Sequence, residues 1–178
     1  VMSSTGRDRS AAVLGSVADD VLRAMLGPIV VVGPEVEEFE SFAGDIVVPV
    51  DGSDFSETSL PLAAAWGIAF DATPWIVEVL TEPVPAGADV FETSYPNRLA
   101  RELQESSHHD VEFDVLHGPS AARAISDYAL HNKASLIVMS THGRSGLSRL
   151  SVGSTSAAVV RSAVCPVVLH RPPHFALD

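Results

Sequence analysis

A parallel α/β fold is predicted for this chain from three features. Short, β-branched apolar runs alternate with helix-length segments. The first run ends in Asp51-Gly-Ser-Asp54, the chemistry of a strand passing into a helix-starting loop. The length of 178 residues suffices for one domain and about a quarter of another if domains span roughly 100–150 residues. Alternation of this kind calls for right-handed crossovers, which place helices on both faces of a parallel sheet.

Each element has its own signal. Ile46-Val-Val-Pro-Val50 reads as a buried strand, and Ser56 to Phe70 as a helix that tolerates Pro61 because it lies near the start. Trp75–Leu80 is the next strand, residues 81–92 a Pro- and Gly-containing loop, and Thr93–Ser106 a helix of mixed charge that covers the sheet. Val111–Leu116 alternates apolar with polar residues, as a less buried edge strand does. His117-Gly-Pro-Ser120 opens a helix running to His131. Leu136–Met139 is a buried strand, residues 154–163 a helix and Val167–Leu169 a last strand.

Composition excludes several function classes. Hydrophobic residues make up 46% and charged residues 19%, a globular balance. The net charge of −12 argues against a general nucleic-acid binder. The charge is uneven: residues 1–127 carry −16, whereas residues 128–178 carry +4 from Lys133, Arg144, Arg149, Arg161 and Arg171 against Asp178. A single cysteine, Cys165, excludes an intramolecular disulfide and reads as a small core residue in a reducing compartment. No run approaches the roughly 18 apolar residues of a membrane span, and the start lacks a signal-peptide pattern, so no membrane association and a cytoplasmic location are expected. The seven histidines, His108-His109 among them, match no metal-ligand spacing, so solvated or capping roles are expected and no metal site.

The chain contains a diverged repeat. Ser140-Thr-His-Gly-Arg144, Val152-Gly-Ser154, Arg161 and Pro166–Leu169 have counterparts in Ser3-Ser-Thr-Gly-Arg7, Leu14-Gly-Ser16, Arg23 and Pro28–Val31. The offset is 137 residues at Gly6/Gly143 and 138 at Gly15/Gly153. Residues 1–34 therefore read as the C-terminal helix and strand of a preceding module, residues 35–44 as an acidic linker, 45–171 as a complete domain and 172–178 as a tail. Ile29–Val32 is expected to pair with Val167–Leu169 of the same chain, or else two chains pair their last strands as a homodimer.

In an open α/β sheet, ligands bind beyond the carboxyl ends of the strands where strand order reverses. Asp51 and Ser140-Thr-His-Gly143 occupy two such ends. Gly143, Gly146 and Gly153 allow backbone N–H groups to approach a ligand, the helix start adds a partial positive charge, and Ser154 and Thr155 add hydroxyls. That combination suits a polyphosphate; a surface loop with a serine cap has the same local signature. Asp51 likewise suits either a ligand contact or a turn and helix cap. No Walker sequence, Gly-x-Gly-x-x-Gly turn or Gly-x-Ser-x-Gly elbow is present.

Taken together, Val47-Val-Pro-Val-Asp-Gly-Ser53, Ile137 to Arg149, Val152-Gly-Ser154 and Pro166–Leu169 resemble the universal stress protein family. The resemblance covers residues 45–171 as a module and 1–34 as the last quarter of another. It implies an open five-stranded parallel sheet, Rossmann-like with the flavodoxin-type strand order, and dimers or tandem pairs joined through the last strand. One subgroup of the family binds ATP through Gly-x-x-Gly, nine residues, then Gly-Ser/Thr. Here Gly143, residues 144–152 and Gly153-Ser154 keep that spacing, while Ser140 replaces the first glycine. By the resemblance Asp51 contacts the ribose or adenine side, Pro49 and Val50 line the base pocket, the Val79 backbone bonds the adenine edge, and Met139 and His142 flank the nucleotide. Gly143, Arg144, Gly146, Gly153, Ser154 and Thr155 surround the phosphates.

The function implied is stress response through nucleotide-dependent association, with ATP, with or without Mg2+, as cofactor. No general base or nucleophile is evident, so no catalytic residue is assigned and at most slow hydrolysis is expected. The alternative is an interaction module that does not bind nucleotide and works through its dimer surface.

Overall fold

The structure, a computed structural model, describes residues 1–3, 20, 21, 24, 27–37, 39, 41–82, 93–141 and 152–171. Its strands are β1 (Met2–Ser3), β2 (Ile29–Val32), β3 (Gly44–Val50), β4 (Ala72–Leu80), β5 (Glu112–His117), β6 (Leu136–Ser140) and β7 (Val167–His170). Its helices are α1 (Asp54–Glu57), α2 (Leu60–Phe70), α3 (Ser94–Ser107), α4 (Ala121–His131) and α5 (Ser154–Ser162). One sheet joins all seven strands in the order β1-β2-β7-β6-β3-β4-β5.

Strand alternation divides the core in two. Along β3, Val47 packs with Val77, Ile137 and Val167 under Ile125 and Ala129 of α4 and Val159 and Val160 of α5. Ile46, Val48 and Val50 face the other way, with Ile76, Leu136 and Val138, under Leu60 and Ala63 of α2 and Leu99 and Leu103 of α3. Near-continuous Val and Ile in β3 and β6 is what burial on both faces requires. Each such side chain contributes about 1.5–3 kcal/mol on burial.

The five strands of the main module run parallel, with helices on both faces, as expected. Their order, counted from β3 as the first, is 3-2-1-4-5 and not the flavodoxin-type 2-1-3-4-5. The reason lies in β5. It is half-exposed and occupies the sheet edge, a position the flavodoxin order does not give to a third strand. The alternating pattern of residues 111–116 already carried that information.

The expected single helix from Ser56 to Phe70 is instead two. Pro61, at the second position of α2, has no N–H to give to the Glu57 carbonyl. Thr58 and Ser59 donate their hydroxyls to the Phe55 and Ser56 carbonyls at 2.6 Å each, satisfying the end of α1 locally.

β2 and β7 pair antiparallel, with Ile29 opposite Leu169, Val30 opposite Val168 and Val31 opposite Val167. Under the 138-residue repeat, Ile29 corresponds to Val167 and Val31 to Leu169. The register is thus symmetric about Val30 and Val168, as across a twofold axis. β1, absent from the expected helix-and-strand remnant, lies parallel to β2 with Met2 opposite Val31. Met139 lies opposite Leu169 in the same relation.

Gly33, just after β2, fits beneath the last turn of α5: a Cβ there would lie 2.0 Å from the Val160 carbonyl oxygen. Only glycine permits that approach.

Candidate functional site at the carboxyl ends of the strands

Strand order reverses between β3 and β6, and a cleft of about 250 Å³ opens at their carboxyl ends. Pro49 and Val50 of β3 with the following Asp51, Val79 of β4 with Thr81 just after it, and Met139 and Ser140 of β6 border it. Ala121 and Ile125 of α4 form one wall, and Gly153 to Ser156 at the start of α5 form another. The sequence reading brought nine of these residues forward, namely Pro49, Val50, Asp51, Val79, Met139, Ser140, Gly153, Ser154 and Thr155. His142, Gly143, Arg144 and Gly146 lie outside the described residues.

Alternation explains how these residues are presented. Pro49 and Asp51 share the face of Val47, and Met139 that of Ile137, so they turn toward the side covered by α4 and α5. Val50 borders the cleft, but its side chain packs in the opposite core. Ser140 falls on the same face as Val138, away from Met139. It is 5% exposed. Its side chain therefore leaves the Met139 side of the cleft open, although the ATP-binding subgroup's motif has glycine at this position.

Asp51 serves a turn as well as bordering the cleft. One carboxylate oxygen accepts from the Ser53 hydroxyl at 2.5 Å and the Ser53 N–H at 3.1 Å. Ser53 in turn caps α1, its Oγ accepting from the Ser56 N–H at 3.2 Å. The Ser56 hydroxyl accepts from the Asp51 N–H, also at 3.2 Å. Both readings of Asp51 are compatible, because a carboxylate has several lone pairs and this turn fixes its position.

The edge of β4 offers a backbone acceptor. The Leu80 carbonyl accepts from the Gly118 N–H on the β5 side. The preceding Val79 carbonyl, by alternation, turns toward β3, where the ladder has ended at Val50 opposite Glu78.

At the other wall, Gly153 is the N-cap of α5 and makes no side-chain capping bond. Its N–H donates to the Thr141 carbonyl at 2.8 Å, and the Ser156 hydroxyl donates to the same oxygen at 3.2 Å. A Cβ at Gly153 would sit 2.9 Å from that oxygen, so close approach demands glycine here. The first α5 bond runs from the Ala157 N–H to the Gly153 carbonyl. The preceding N–H groups therefore have no partner within the helix. Ser154 and Thr155 are exposed beside them.

Sequence reading missed Ser56, Thr81, Ala121, Ile125 and Ser156. Ala121 and Ile125 are one helical turn apart just after the Ser120 cap, whose Oγ accepts from the Arg123 N–H at 3.4 Å. That spacing was the available signal. Thr81 directly follows β4 at its carboxyl end.

Elsewhere, burial pushes the Cys165 thiol up to about 12, which suits a core residue and not a nucleophile. Among the described residues no group of three or more His, Cys, Asp or Glu is placed to hold a metal ion, and no helix is long and apolar enough to cross a membrane.

The chain matches a family model over residues 44–171, that of the universal stress protein family. A universal stress protein of Thermus aquaticus is 35% identical over 134 residues, covering 71% of this chain and 97% of that protein. One from Mycobacterium tuberculosis is 30% identical over 184 residues, covering 91% of this chain but 55% of the relative. The chain thus spans about half the length of this mycobacterial relative. Among solved structures, a universal stress protein in complex with cAMP superposes with a TM-score of 0.57 at 24% identity, covering 74% of this chain and 98% of the other.

Proposed function

Because the chain belongs to the universal stress protein family, we propose that its cleft binds an adenine nucleotide and that nucleotide state governs its association with partners. The observation carrying this reading is the two-ended character of the cleft: apolar walls at one end, the start of α5 with two hydroxyls at the other. Pro49, Met139 and Ile125 suit the flat faces of a base, and the Val79 carbonyl suits its exocyclic amine. Asp51 accepts from ribose hydroxyls. The Ser154 and Thr155 N–H and hydroxyl groups hold phosphate, each charge-assisted bond contributing about 1.5–3 kcal/mol. In sequence Gly143, Arg144 and Gly146 belong to the same phosphate motif, and His142 to the residues flanking the nucleotide. The cAMP bound by one structural neighbour is an adenine nucleotide of the same class.

ATP, with or without Mg2+, is the ligand this reading assigns to the cleft. Among the described residues lining the cleft none is assigned as a general base or nucleophile, and the reading is of a site that binds and releases nucleotide with at most slow hydrolysis. Residues 1–34 are read as the remnant of a tandem module, which supplies an intramolecular pseudo-dimer through β2 and β7. The symmetric β2–β7 register also supports the second reading, an interaction module that works through this junction without nucleotide. Calorimetric titration separates the two. ATP should bind the wild type, and Gly153→Val should abolish binding by displacing the Thr141 carbonyl. Absence of wild-type binding, or equal binding by the variant, rejects the nucleotide site.

A further inference from the structure

Helix α5 begins differently from α1 and α4. In those two a serine stands at the N-cap, and its Oγ accepts from the N–H of the third helical residue, Ser53 from Ser56 and Ser120 from Arg123. In α5 the N-cap is Gly153, which has no side chain to accept with, and a serine stands instead at the third helical position. That residue, Ser156, is 3% exposed. Its hydroxyl turns back out of the helix, donating to the Thr141 carbonyl at 3.2 Å and approaching the Ser140 carbonyl at 3.4 Å.

The oxygen it reaches is held by the sheet. The Thr141 N–H donates to the His170 carbonyl at 2.9 Å, one step beyond the pairing of Ser140 with His170. The Gly153 N–H donates to the same Thr141 oxygen at 2.8 Å. The first turn of α5 is thus tied to one carbonyl twice, by a backbone N–H and by a side chain most of a turn further on. A single bond lets a helix end pivot about it, whereas the second fixes its direction. The N–H groups of Ser154, Thr155 and Ser156 have no partner within the helix, and no capping side chain at Gly153 competes for them. They keep the donors that a phosphate needs.

We infer that Ser156 is a positioning residue: its hydroxyl, bonded to the Thr141 carbonyl, aims the first turn of α5 at the phosphate end of the cleft. The inference rests on the nucleotide reading of the cleft. It adds that the phosphate part of the affinity depends on Ser156, while the nucleoside part, which that reading gives to Pro49, Met139 and Asp51, does not. Ser156 acts through the turn it holds, because its hydroxyl is already committed to the strand.

The test measures ATP and adenosine affinities by calorimetry on the full chain as wild type, Ser156→Ala and Ser162→Ala. Ser162, at the other end of α5, meets the Ser126 hydroxyl at 2.7 Å and donates to the Ala158 carbonyl at 3.0 Å. It therefore reports what loss of a hydroxyl from this helix does away from the cleft. Ser156→Ala should lower ATP affinity about tenfold, the scale of one charge-assisted hydrogen bond, and leave adenosine affinity unchanged. Ser162→Ala should change neither. Without ligand, hydrogen exchange at the Gly153 amide should be about tenfold faster in Ser156→Ala, while the Val138 amide of β6 keeps its rate. Wild-type ATP affinity in Ser156→Ala, an equal loss for both ligands, or an unchanged Gly153 exchange rate overturns the positioning role and leaves the nucleotide reading standing. A wild type that binds neither ligand, or binds ATP no tighter than adenosine, rejects the phosphate site itself and the role of Ser156 with it.

Discussion

His170 shows how a single side chain ties this fold to pH. It ends β7, and its buried Nδ1 has no hydrogen-bond partner among the described residues. Burial holds its pKa below the ordinary value near 6.5. As pH falls through that ordinary value, the unfolded chain takes up a proton that the folded chain still refuses, so stability is lost toward acid. Urea midpoints measured from pH 8 to pH 5 should therefore fall more steeply for the wild type than for His170→Gln. Parallel curves would remove His170 from the account. Gly153 makes the complementary point about space. The 2.9 Å approach of a Cβ to the Thr141 carbonyl explains why the glycine of the sequence motif cannot be exchanged, independently of any ligand.

At the scale of elements, β2 covers the edge of β7 that would otherwise carry unpaired N–H and C=O groups. Deleting residues 1–34 should expose that edge and convert the chain to a homodimer joined through β7, read as a doubled mass in light scattering. Gly33→Val should have the same effect more weakly, by forcing β2 away from Val160. An unchanged mass in the deletion variant contradicts the covering role. The strands were legible because burial on both faces imposes uninterrupted apolar runs such as Ile46–Val50. The order in which they assemble was written only indirectly, in the alternating pattern of residues 111–116 that marks β5 as an edge strand. The break between α1 and α2 comes from Pro61, which lacks the N–H for the Glu57 carbonyl, and from Thr58 and Ser59, whose hydroxyls satisfy the end of α1, a combination that hydrophobic periodicity does not register. Likewise Ile125 reads as a core residue from spacing alone. Its second role depends on where α4 crosses the end of the sheet.

For the whole molecule, the charge asymmetry divides into three regions. The start of α5 borders the cleft, β2–β7 joins the two repeat-related segments, and the acidic stretch between Arg23 and Arg98 contains the uncharged helix α2. The cleft opens on the side of the sheet covered by α4 and α5, whereas α2 covers the opposite face. Backbone amide shifts in a ¹H–¹⁵N spectrum test the nucleotide site most directly. Addition of ATP should move the amides of Gly153, Ser154, Thr155, Val79 and Leu80 while leaving Ile68 and Phe70 in place. Shifts confined to residues outside the cleft, or none at saturating ATP, would contradict a nucleotide site at the ends of β3 and β6.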